Sequence, residues 1–478
     1  MNKKLLKNFC AVLLAGFMAL FLLPQSAQAQ EKEAYVVKSS DNKTLTFYYD
    51  DQKSSRTGTV WGIEETQWGG RSTYPAWSGT WYTPESEVTT AVFDVSFKNY
   101  LPQSTENWFF NFKNLEKIEG LTNLNTSEVT MMREMFSDCS SLTSLDLSNF
   151  NAENVKDMHG MFYGCSSLTS LNLSNFNAEN VKDMSLMFEG CSSLTSLDLS
   201  NFKTEKVQNM NSMFSRCQKL TSLDLSNFNT ENVQSMYSMF SGCQNLTSLD
   251  LSNFNTENVQ SMSFMFSHCQ KLTSLDLSNF NTENVQGMYS MFYGCKNLTS
   301  LNLSNFKTEK VADMGEMFYG CHNLTSLNLS NFNTEDVEYM NLMFYGCHNL
   351  TSLDLSNFKT ETEKVKDMSY MFHGCNSLQT IYCNNTWTCS ESRDMFSGCT
   401  SLQGAVPYDE SKTDDYMANP KTGYFTKKGS TGVTTTTLDG DTSIQAIYST
   451  DGKRLNKLQR GLNIVRMSNG TTQKILRK

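Results

Sequence analysis

The feature that most constrains the fold is a cysteine that returns every 26 residues through the middle of the chain. A fixed period in this range is the signature of a solenoid, in which each repeat buries its apolar side only against its neighbours. We call these residues the cysteine column: Cys139, Cys165, Cys191, Cys217, Cys243, Cys269, Cys295, Cys321, Cys347, Cys375 and Cys399. The spacing changes only at the last two members. The sequence therefore predicts a long array of stacked repeats.

Each repeat combines two patterns of apolar residues. Residues 144–148 alternate polar and apolar side chains, which predicts a short strand with one buried face. Downstream, Val155, Met158, Met161 and Cys165 fall three to four residues apart, as on one stripe of a helix. Neighbouring strands lie about 4.8 Å apart, whereas packed helices need about 8–10 Å. The sequence therefore predicts an α/β solenoid with a curved parallel sheet on the concave side and helices on the convex side.

Nine consecutive copies of Leu-Thr-Ser-Leu-(Asp/Asn)-Leu-Ser-Asn-Phe run from Leu142 to Phe358, and each is followed by Val-x-x-Met-x-x-Met-Phe. This pattern resembles the 26-residue leucine-rich repeat of the BspA-like bacterial surface proteins, over roughly residues 92–425. The resemblance implies a leucine-rich-repeat horseshoe and attachment to host matrix proteins, host cells or other bacteria. Phe150 and its equivalents stand where such repeats usually bury an asparagine. The turn after the strand therefore needs another stabiliser, for which Ser148 and Asn149 are the candidates.

The first 426 residues divide into three parts by composition. Residues 1–29 predict a secretory signal peptide, because three lysines precede an apolar run and a small-residue cleavage site. Residues 30–89 predict a β-rich, tryptophan-containing head that caps the array. Residues 90–426 predict the solenoid with its end caps. Pro407 stands where the next strand is due, and the stack should end there because proline cannot donate to a ladder of hydrogen bonds.

The C-terminal segment has a different composition. Residues 427–437 are rich in glycine, serine and threonine, which predicts a flexible linker. Residues 438–478 contain short strand-like runs around Gly452 and Gly461 and resemble the C-terminal sorting domain of type IX secretion in gram-negative anaerobes. The resemblance implies a small all-β module, in a protein that is secreted or displayed on the outer surface of a gram-negative bacterium.

Net charge and hydropathy exclude some classes of partner. The formal net charge is -10, and loss of the three signal-peptide lysines leaves -13 on the exported chain. A globally acidic chain without a basic block is a poor nucleic-acid binder, so none is expected as a partner. Beyond the signal peptide there is no long apolar stretch, so no transmembrane segment is predicted.

The sequence carries no motif of an enzyme. It has no phosphate-binding loop, no His-Glu-x-x-His zinc motif and no paired carboxylates of a hydrolase. The five histidines have no nucleophile pattern beside them, and we expect exposed polar residues there. We therefore predict a protein that is not an enzyme and that has no catalytic residues, no cofactor and no metal site.

Cysteines in an exported chain first suggest disulfides. Equivalent cysteines near the ends of packed helices would, however, lie beyond the roughly 7 Å Cα separation that a bridge allows. The cysteine column is therefore predicted to consist of buried free thiols that fill space like small hydrophobes. Cys383 and Cys389 lie outside the column and form the candidate disulfide.

Two surface features are candidate binding sites. The acidic column occupies the concave strand position: Asp146, Asp198, Asp224, Asp250, Asp276 and Asp354, with asparagine in the three remaining repeats. Carboxylates about 4.8 Å apart repel by roughly 0.9 kcal/mol even in water, so this column is either a solvated ladder separated by serine and asparagine or a face for a cationic partner. The second feature is a group of outward tyrosines late in the array: Tyr289, Tyr293, Tyr319 and Tyr345. Tyrosine is enriched at interfaces, although scattered surface tyrosines are ordinary.

Together these features predict a non-enzymatic, secreted or cell-surface binding protein of adhesin type. Its array would serve protein–protein interaction with extracellular proteins or cell surfaces of host or bacterial origin. Two alternatives remain open: a carbohydrate-binding envelope protein that uses the tryptophan-rich head, and a passive envelope spacer.

Overall fold

The computed structural model describes residues 31–359, 364–428, 444–449, 453–455, 458–467 and 472–477. The predicted signal peptide and most of the predicted linker lie outside these residues. The chain divides into two compact units, Met1–Phe254 and Asn255–Lys478. The first unit holds the head and the first coils of the repeat array, and the second holds the later coils and the C-terminal segment.

The head and the start of the array contribute seven short strands: β1 (Glu33–Lys38), β2 (Thr44–Asp50), β3 (Thr59–Gly62), β4 (Thr66–Trp68) and β5 (Thr73–Pro75) in the head, then β6 (Thr90–Phe93) and β7 (Lys117–Glu119). Five of them form one sheet in the order β3-β1-β2-β6-β7. β1 and β2 form an antiparallel hairpin, whereas β2 pairs in parallel with β6, and β6 with β7. The head hairpin is therefore hydrogen-bonded directly onto the parallel strands with which the repeats begin.

On its sheet side the array has short strands in some of its coils: β8 (Ser144–Asp146) and β9 (Ser170–Asn172) in the first unit, and β10 (Ser300–Asn302), β11 (Ser326–Asn328), β12 (Ser352–Asp354), β13 (Thr380–Tyr382) and β14 (Phe425–Thr426) in the second. The coils between Asn172 and Ser300 carry no such strand. Where strands form, the pairing is parallel and joins equivalent residues, such as Ser144 with Ser170 and Ser300 with Ser326. The last strand of the array is β14, whereas Pro407 makes only an isolated antiparallel bridge with Gln403.

The helices predicted on the other side of each coil are absent, and that part of the prediction is wrong. The described residues contain no α-helix, only four short 3-10 helices: Lys53–Ser55, Val95–Asn99, Leu121–Asn123 and Asp415–Met417. The segment from Val155 to Cys165 is a series of tight turns. In the preceding coil, the Phe136 N–H donates to the Met161 carbonyl at 2.9 Å. Backbone hydrogen bonds therefore join neighbouring coils on the turn side as well as on the strand side. The predicted curvature depended on wide helices, which the described residues do not contain.

Left-handed residues explain why these segments are not helical. Gly160 and Gly164 have φ of 58° and 69°, and Leu186 and Tyr370 have φ of 60° and 59° in later coils. A left-handed residue ends helical hydrogen bonding and turns the next backbone groups along the stack. The three- to four-residue spacing of the buried side chains fits successive tight turns as well as a helix, so periodicity alone could not separate the two structures.

Stacked side chains fill the interior of each unit. In the first unit, Phe109 and Phe136 stack with ring centroids 5.6 Å apart and planes inclined by 4°. In the second unit, Phe318 and Phe344 stack in the same way at 5.6 Å and 7°. Asn149, predicted to stabilise the turn after the strand, donates through Nδ2 to the Leu121 carbonyl at 3.0 Å. Apolar stacking and side-chain bonds between coils therefore replace the buried asparagine of ordinary leucine-rich repeats.

The described residues of the C-terminal segment form a separate antiparallel sheet. Its strands are β15 (Ile444–Tyr448), β16 (Arg454–Leu455), β17 (Gly461–Met467) and β18 (Thr472–Arg477), in the order β16-β15-β17-β18. The buried Asn463 side chain accepts the Gln459 N–H at 2.9 Å and donates to the Gln459 carbonyl at 2.8 Å. This segment is all-β in its described part.

Candidate functional site

The two sides of a coil differ in how much their outward residues vary. On the strand side the sequence Thr-Ser-Leu-(Asp/Asn)-Leu-Ser-Asn-Phe is repeated almost unchanged in nine coils. On the turn side, the residue two before each column cysteine is Tyr, Glu, Ser or His, and the residue after the cysteine is Ser, Gln, Lys, His, Asn or Thr. Side chains that could distinguish one partner from another are therefore concentrated on the turn side.

The acidic column lies on the strand side, fully exposed, and each carboxylate has a structural role. Asp146 Oδ1 accepts the Ser148 N–H at 3.0 Å, and Asp198 Oδ1 accepts the Ser200 N–H at 2.9 Å. Asp224, Asp250, Asp276 and Asp354 repeat this bond at 2.9–3.1 Å. Hydrogen bonds from the Ser148 backbone and side chain lower the pKa of Asp146, and the Ser200 side chain and backbone lower that of Asp198. These hydrogen bonds explain why carboxylates occupy these positions, and no ligand is needed for that explanation.

Three of the four predicted tyrosines come together in the second unit. The rings of Tyr293 and Tyr319 stack with centroids 4.5 Å apart and planes inclined by 5°, and those of Tyr319 and Tyr345 at 4.6 Å and 4°. His373 continues the stack beyond Tyr345 at 4.8 Å, and His268 packs edge-on against Tyr293 at 4.9 Å. We call these five side chains the tyrosine ladder. Burial, followed by the neighbouring tyrosines, raises the pKa of Tyr319.

Tyr289, the fourth predicted tyrosine, does not join the ladder. Its ring packs edge-on against Phe264 at 5.2 Å, and its hydroxyl bonds to the Glu316 carboxylate. Burial, with the bond to Glu316, raises the pKa of Tyr289. Ser290 Oγ donates to the same carboxylate at 2.8 Å. Glu316 is therefore the acidic group next to the ladder, and Tyr289 serves to hold it.

A second column of side chains runs beside the ladder. In each coil its member lies three residues after the tyrosine position, beyond one glycine and one cysteine. It consists of Lys296, His322 and His348, and the rings of the two histidines stack at 4.9 Å. His348 Nδ1 contacts the Gly374 carbonyl at 2.9 Å, which assigns the proton to Nδ1. Burial lowers the pKa of His322, and His348 and Lys296 lower it further. Sequence analysis predicted exposed polar residues at the histidines, and the structure stacks a half-buried His322 on an exposed His348.

Glycines keep the two columns close together. Gly320 and Gly346 have φ of 67° and 68°, a conformation that residues with a Cβ rarely adopt. A Cβ on Gly346 would lie 3.8 Å from His348 Cε1 and 3.9 Å from His322 Cδ2, so the imidazoles cover the glycine backbone. Tyrosine, glycine and imidazole thus form one continuous surface on the turn side of the second unit.

A polar cluster in the first unit resembles a serine–histidine–acid arrangement. His159 Nδ1 lies 2.6 Å from Ser185 Oγ, and His159 Nε2 lies 3.8 Å from Glu134 Oε1. Ser185 Oγ donates to Asp183 Oδ1 at 2.5 Å, so the imidazole must donate to the hydroxyl and cannot take its proton. Ser185 is also buried. The cluster therefore holds adjacent coils together and is not an activated nucleophile.

The cysteine column is buried throughout, and its thiols are free. Thiols of the column donate to the carbonyl of a phenylalanine in the preceding coil, as Cys191 does to Phe162 at 3.2 Å and Cys321 to Phe292 at 3.2 Å. Burial raises the pKa of Cys165 to about 12 and also raises the pKa of Cys191 and Cys321. Thiols in this state do not react as nucleophiles at neutral pH.

The candidate disulfide between Cys383 and Cys389 is not formed, because both thiols are free. Cys383 is buried and its Sγ donates to the Asn385 carbonyl at 3.6 Å. Cys389 is half-buried and its Sγ donates to the Glu391 carbonyl at 3.0 Å. Local backbone acceptors therefore occupy both sulfurs, and this part of the sequence prediction is corrected.

The head exposes large aromatic side chains. Trp68, Trp81 and Tyr82 are 70%, 47% and 66% exposed, whereas Trp77 is buried and donates to the Trp108 carbonyl at 3.0 Å. Arg71 lies 5.1 Å from the centre of the Trp81 ring. A separate cleft of about 270 Å³ is lined by side chains that include those of Trp61 and Gln67. We call Trp68, Trp81 and Tyr82 the aromatic platform.

Two further findings concern the described residues alone. Within them, no group of three or more histidine, cysteine or acidic side chains is arranged to hold a metal ion. In the same part of the chain, no helix has the length and apolar character needed to cross a membrane.

Three solved structures show limited similarity to the chain. They are the TLR13–ssRNA13 complex (20% identity, 66% of this chain and 46% of that chain, TM-score 0.25), a leucine-rich cell-surface protein from Faecalibacterium prausnitzii (15%, 81% and 96%, 0.25), and the functional domain of InlJ from Listeria monocytogenes, which includes a cysteine ladder (14%, 62% and 63%, 0.16). The chain thus spans less than half the length of TLR13. With TM-scores this low, the similarity supports no statement about this chain's shape or function.

Sequence comparison is more informative. No curated protein matches the chain. One sequence family matches it in three stretches, residues 103–222, 213–302 and 287–408, which together cover more than half of the chain. These stretches contain the tyrosine ladder and all of the cysteine column. The protein therefore belongs to the family described as "Mycoplasma protein of unknown function, DUF285".

Proposed function

We propose that this protein is a non-enzymatic surface protein of adhesin type that attaches through the turn side of its second unit. Its partners would be extracellular proteins or cell surfaces, in host matrix, on host cells or on other bacteria. The observation that carries the proposal is the tyrosine ladder, in which Tyr293, Tyr319 and Tyr345 form one half-buried surface. Tyrosine supplies a large contact area with a polar tip, which suits an interface between proteins.

The variation between coils supports this choice of surface. Equivalent positions in three earlier coils hold Ser215, Ser241 and Ser267, so the fold does not require an aromatic residue there. The strand side, in contrast, repeats one pattern, and its carboxylates close local turns. A surface that departs from the repeated unit while the rest of the coil is kept is the better candidate for recognition.

The location of the protein belongs to the same proposal. The predicted signal peptide at residues 1–29 and the resemblance of residues 438–478 to a type IX sorting domain favour export to the surface of a gram-negative bacterium. The resemblance of the repeats to BspA-like proteins favours a role in attachment. In this arrangement residues 30–89 cap the array, residues 90–426 bind, and residues 427–437 link the array to the sorting domain.

The proposal is tested by replacing Tyr293, Tyr319 and Tyr345 with serine in one variant. Serine is the natural residue in the same position of other coils, so the fold should survive. A matched control changes Asp198, Asp224 and Asp250 to asparagine, which keeps the turn acceptor. We expect the tyrosine variant to lose attachment to immobilised matrix proteins and cells, and the control to keep it. If both variants attach like the parent chain, the array is not the binding surface.

A second candidate function rests on the aromatic platform of the head. Trp68, Trp81 and Tyr82 expose ring surface that can pack on the apolar faces of sugars. In that case the protein would be a carbohydrate-binding envelope protein, and Trp68→Ala with Trp81→Ala would abolish binding to neutral glycans while the tyrosine variant would not. If the parent chain attaches to neither proteins, cells nor glycans, a passive envelope spacer remains.

A further inference from the structure

The turn side of the second unit carries hydroxyl, imidazole and ammonium groups that a purely apolar contact would not use. Within the ladder, the ring faces of Tyr319 are covered by Tyr293 and Tyr345, at 4.5 and 4.6 Å. These faces are not available for stacking on a ligand. Besides burial, Tyr293 and Tyr345 raise the pKa of the Tyr319 hydroxyl, as expected for hydroxyl groups that follow the same stack. The ladder therefore presents ring edges and hydroxyl groups to its partner.

The neighbouring column adds positive charge. Lys296 carries an ammonium group, and His322 beside it gains positive charge as the pH falls through its lowered pKa. The charged groups that act on His322 are Lys296 and His348, and both oppose its protonation. An anion bound across the column would relieve this repulsion and favour the charged imidazoles.

Acidic residues are missing from these turns. Residues 291–301, 317–327 and 343–353 contain no aspartate or glutamate, although the chain as a whole has a formal charge of -10. The carboxylate of Glu316 acts on Tyr319, and it already accepts a hydrogen bond from Ser290 Oγ at 2.8 Å. Hydroxyl donors, imidazoles and an ammonium group thus lie together with no carboxylate of the same turns to neutralise them. This donor set suits sulfate or carboxylate groups.

The spacing of the donors selects the kind of anion. Successive coils repeat the same donors every 4.5–4.9 Å along the stack. An extended peptide advances about 3.3 Å per residue and places side chains on one face every second residue, so it does not match this repeat. In an extended sugar chain, the length that one ring adds along the chain is close to the distance between neighbouring coils. A chain of acidic sugars could therefore present one anionic group or hydroxyl cluster to each coil.

From these observations we infer that the strip formed by Tyr293, Tyr319, Tyr345, Lys296, His322 and His348 binds an acidic polysaccharide, with an affinity that rises as the pH falls. This inference rests on the proposed attachment function and names the chemical class that the site recognises on the attached surface. The polysaccharide lies along the stack, with its anionic groups toward the histidine column and its hydroxyl groups toward the tyrosines.

The test measures binding of the full chain to heparin, a sulfated polysaccharide, at pH 7.5 and pH 5.5, with dextran as the uncharged control and polyglutamate as an acidic peptide. Binding to heparin should be about threefold tighter at pH 5.5, because His322 gains charge next to Lys296. Lys296→Gln with His322→Gln and His348→Gln should remove most of the binding and its pH dependence. Glutamine stands at the equivalent position as Gln218, Gln244 and Gln270, so this variant should fold.

Each outcome is decisive. Heparin binding that is equal in the parent chain and the glutamine variant at both pH values would overturn the inference, as would no binding to heparin at all. Polyglutamate that competes as well as heparin would assign the strip to acidic peptides instead. If the serine variant of the tyrosines loses attachment to cells while no polysaccharide binds the parent, the proposed function stands and this inference falls.

Discussion

The hydroxyl of Thr204 donates to the Asn229 carbonyl of the next coil at 2.8 Å and accepts the N–H of the same residue at 2.8 Å. Thr204 is buried, so this single side chain satisfies both backbone groups of Asn229 away from water. In the second unit Thr282 does the same for Lys307, at 2.8 and 2.7 Å. These threonines close the backbone hydrogen bonding where the strand ladder stops.

Thr204→Val should therefore destabilise the first unit far more than the loss of one oxygen suggests. The valine keeps the shape but leaves the N–H and C=O of half-buried Asn229 without this partner, each costing about 1–3 kcal/mol, so we expect a loss of about 2–6 kcal/mol in the free energy of unfolding. Thr221→Val, at an exposed position of the strand side, is the matched control and should change it by less than about 0.5 kcal/mol. Chemical denaturation of both variants measures the difference, and equal stabilities would show that water satisfies Asn229.

The column thiols should be protected in the native protein. Burial raises the pKa of Cys243 to about 12 from 9.0, which lowers its thiolate fraction at pH 8 about a thousandfold. We expect thiol reagents to modify Cys389 first, because it is the half-buried cysteine, and to reach the column only after denaturation. No reductant should be needed. Peptide mapping that finds a bridge between successive column cysteines, such as Cys191 with Cys217, would contradict the free-thiol structure.

Replacing Asp198, Asp224 and Asp250 with asparagine should leave the fold intact and change its response to acid. Asn172 shows that the turn bond survives this change, since its Oδ1 accepts the Ser174 N–H at 3.1 Å. Hydrogen bonds hold the pKa of Asp198 below 3.8, so its ionised form stabilises the fold above that value, and this contribution is lost as the pH falls through the lowered pKa. The triple variant should lose less stability between pH 4 and pH 2 than the parent chain. Identical acid-unfolding curves would mean that the turn bonds do not depend on charge.

The proposed sorting role of the C-terminal segment predicts a defect in export. A chain that lacks residues 438–478 should accumulate inside the cell, while its array remains folded, because the antiparallel sheet of this segment contributes no strand to the repeats. Fractionation and surface labelling of cells that express the two chains measure the distribution. Surface display at the parental level after the deletion would show that export depends on another segment.

The stacked array and its parallel strands could be predicted from the sequence, because the 26-residue period and the alternation around Leu145 specify them directly. The turn side could not, because Val155, Met158 and Met161 are spaced as a helix would space them. Gly160 and Gly164 are the residues of this segment whose type favours left-handed turns. Non-glycine residues such as Leu186 and Tyr370 adopt the same conformation, so the residue types alone give a weak indication.

The candidate site was predicted in part. Tyr293, Tyr319 and Tyr345 share one position of the repeat, and the structure stacks them as a fixed period demands. Tyr289 lies four residues earlier in its coil, at a position where the turn directs the side chain to Glu316 instead. His322 and His348 also share one position of the repeat. Their proposed role in binding depends on the glycine turns that place them beside the tyrosines. That relationship is set by backbone conformation, which the sequence pattern did not reveal.

Pairing of β2 with β6 has a consequence for how many molecules assemble. Coils that form backbone hydrogen bonds on both sides leave a row of unpaired N–H and C=O groups at any uncovered end. Such a row can pair with another chain, and repetition of that pairing gives an open-ended polymer. The β1–β2 hairpin occupies that row at the start of the first unit, and its outer partner β3 is short. A chain lacking residues 31–89 should therefore associate with other chains through the uncovered edge of β6, and the hairpin is expected to block that association in the parent chain.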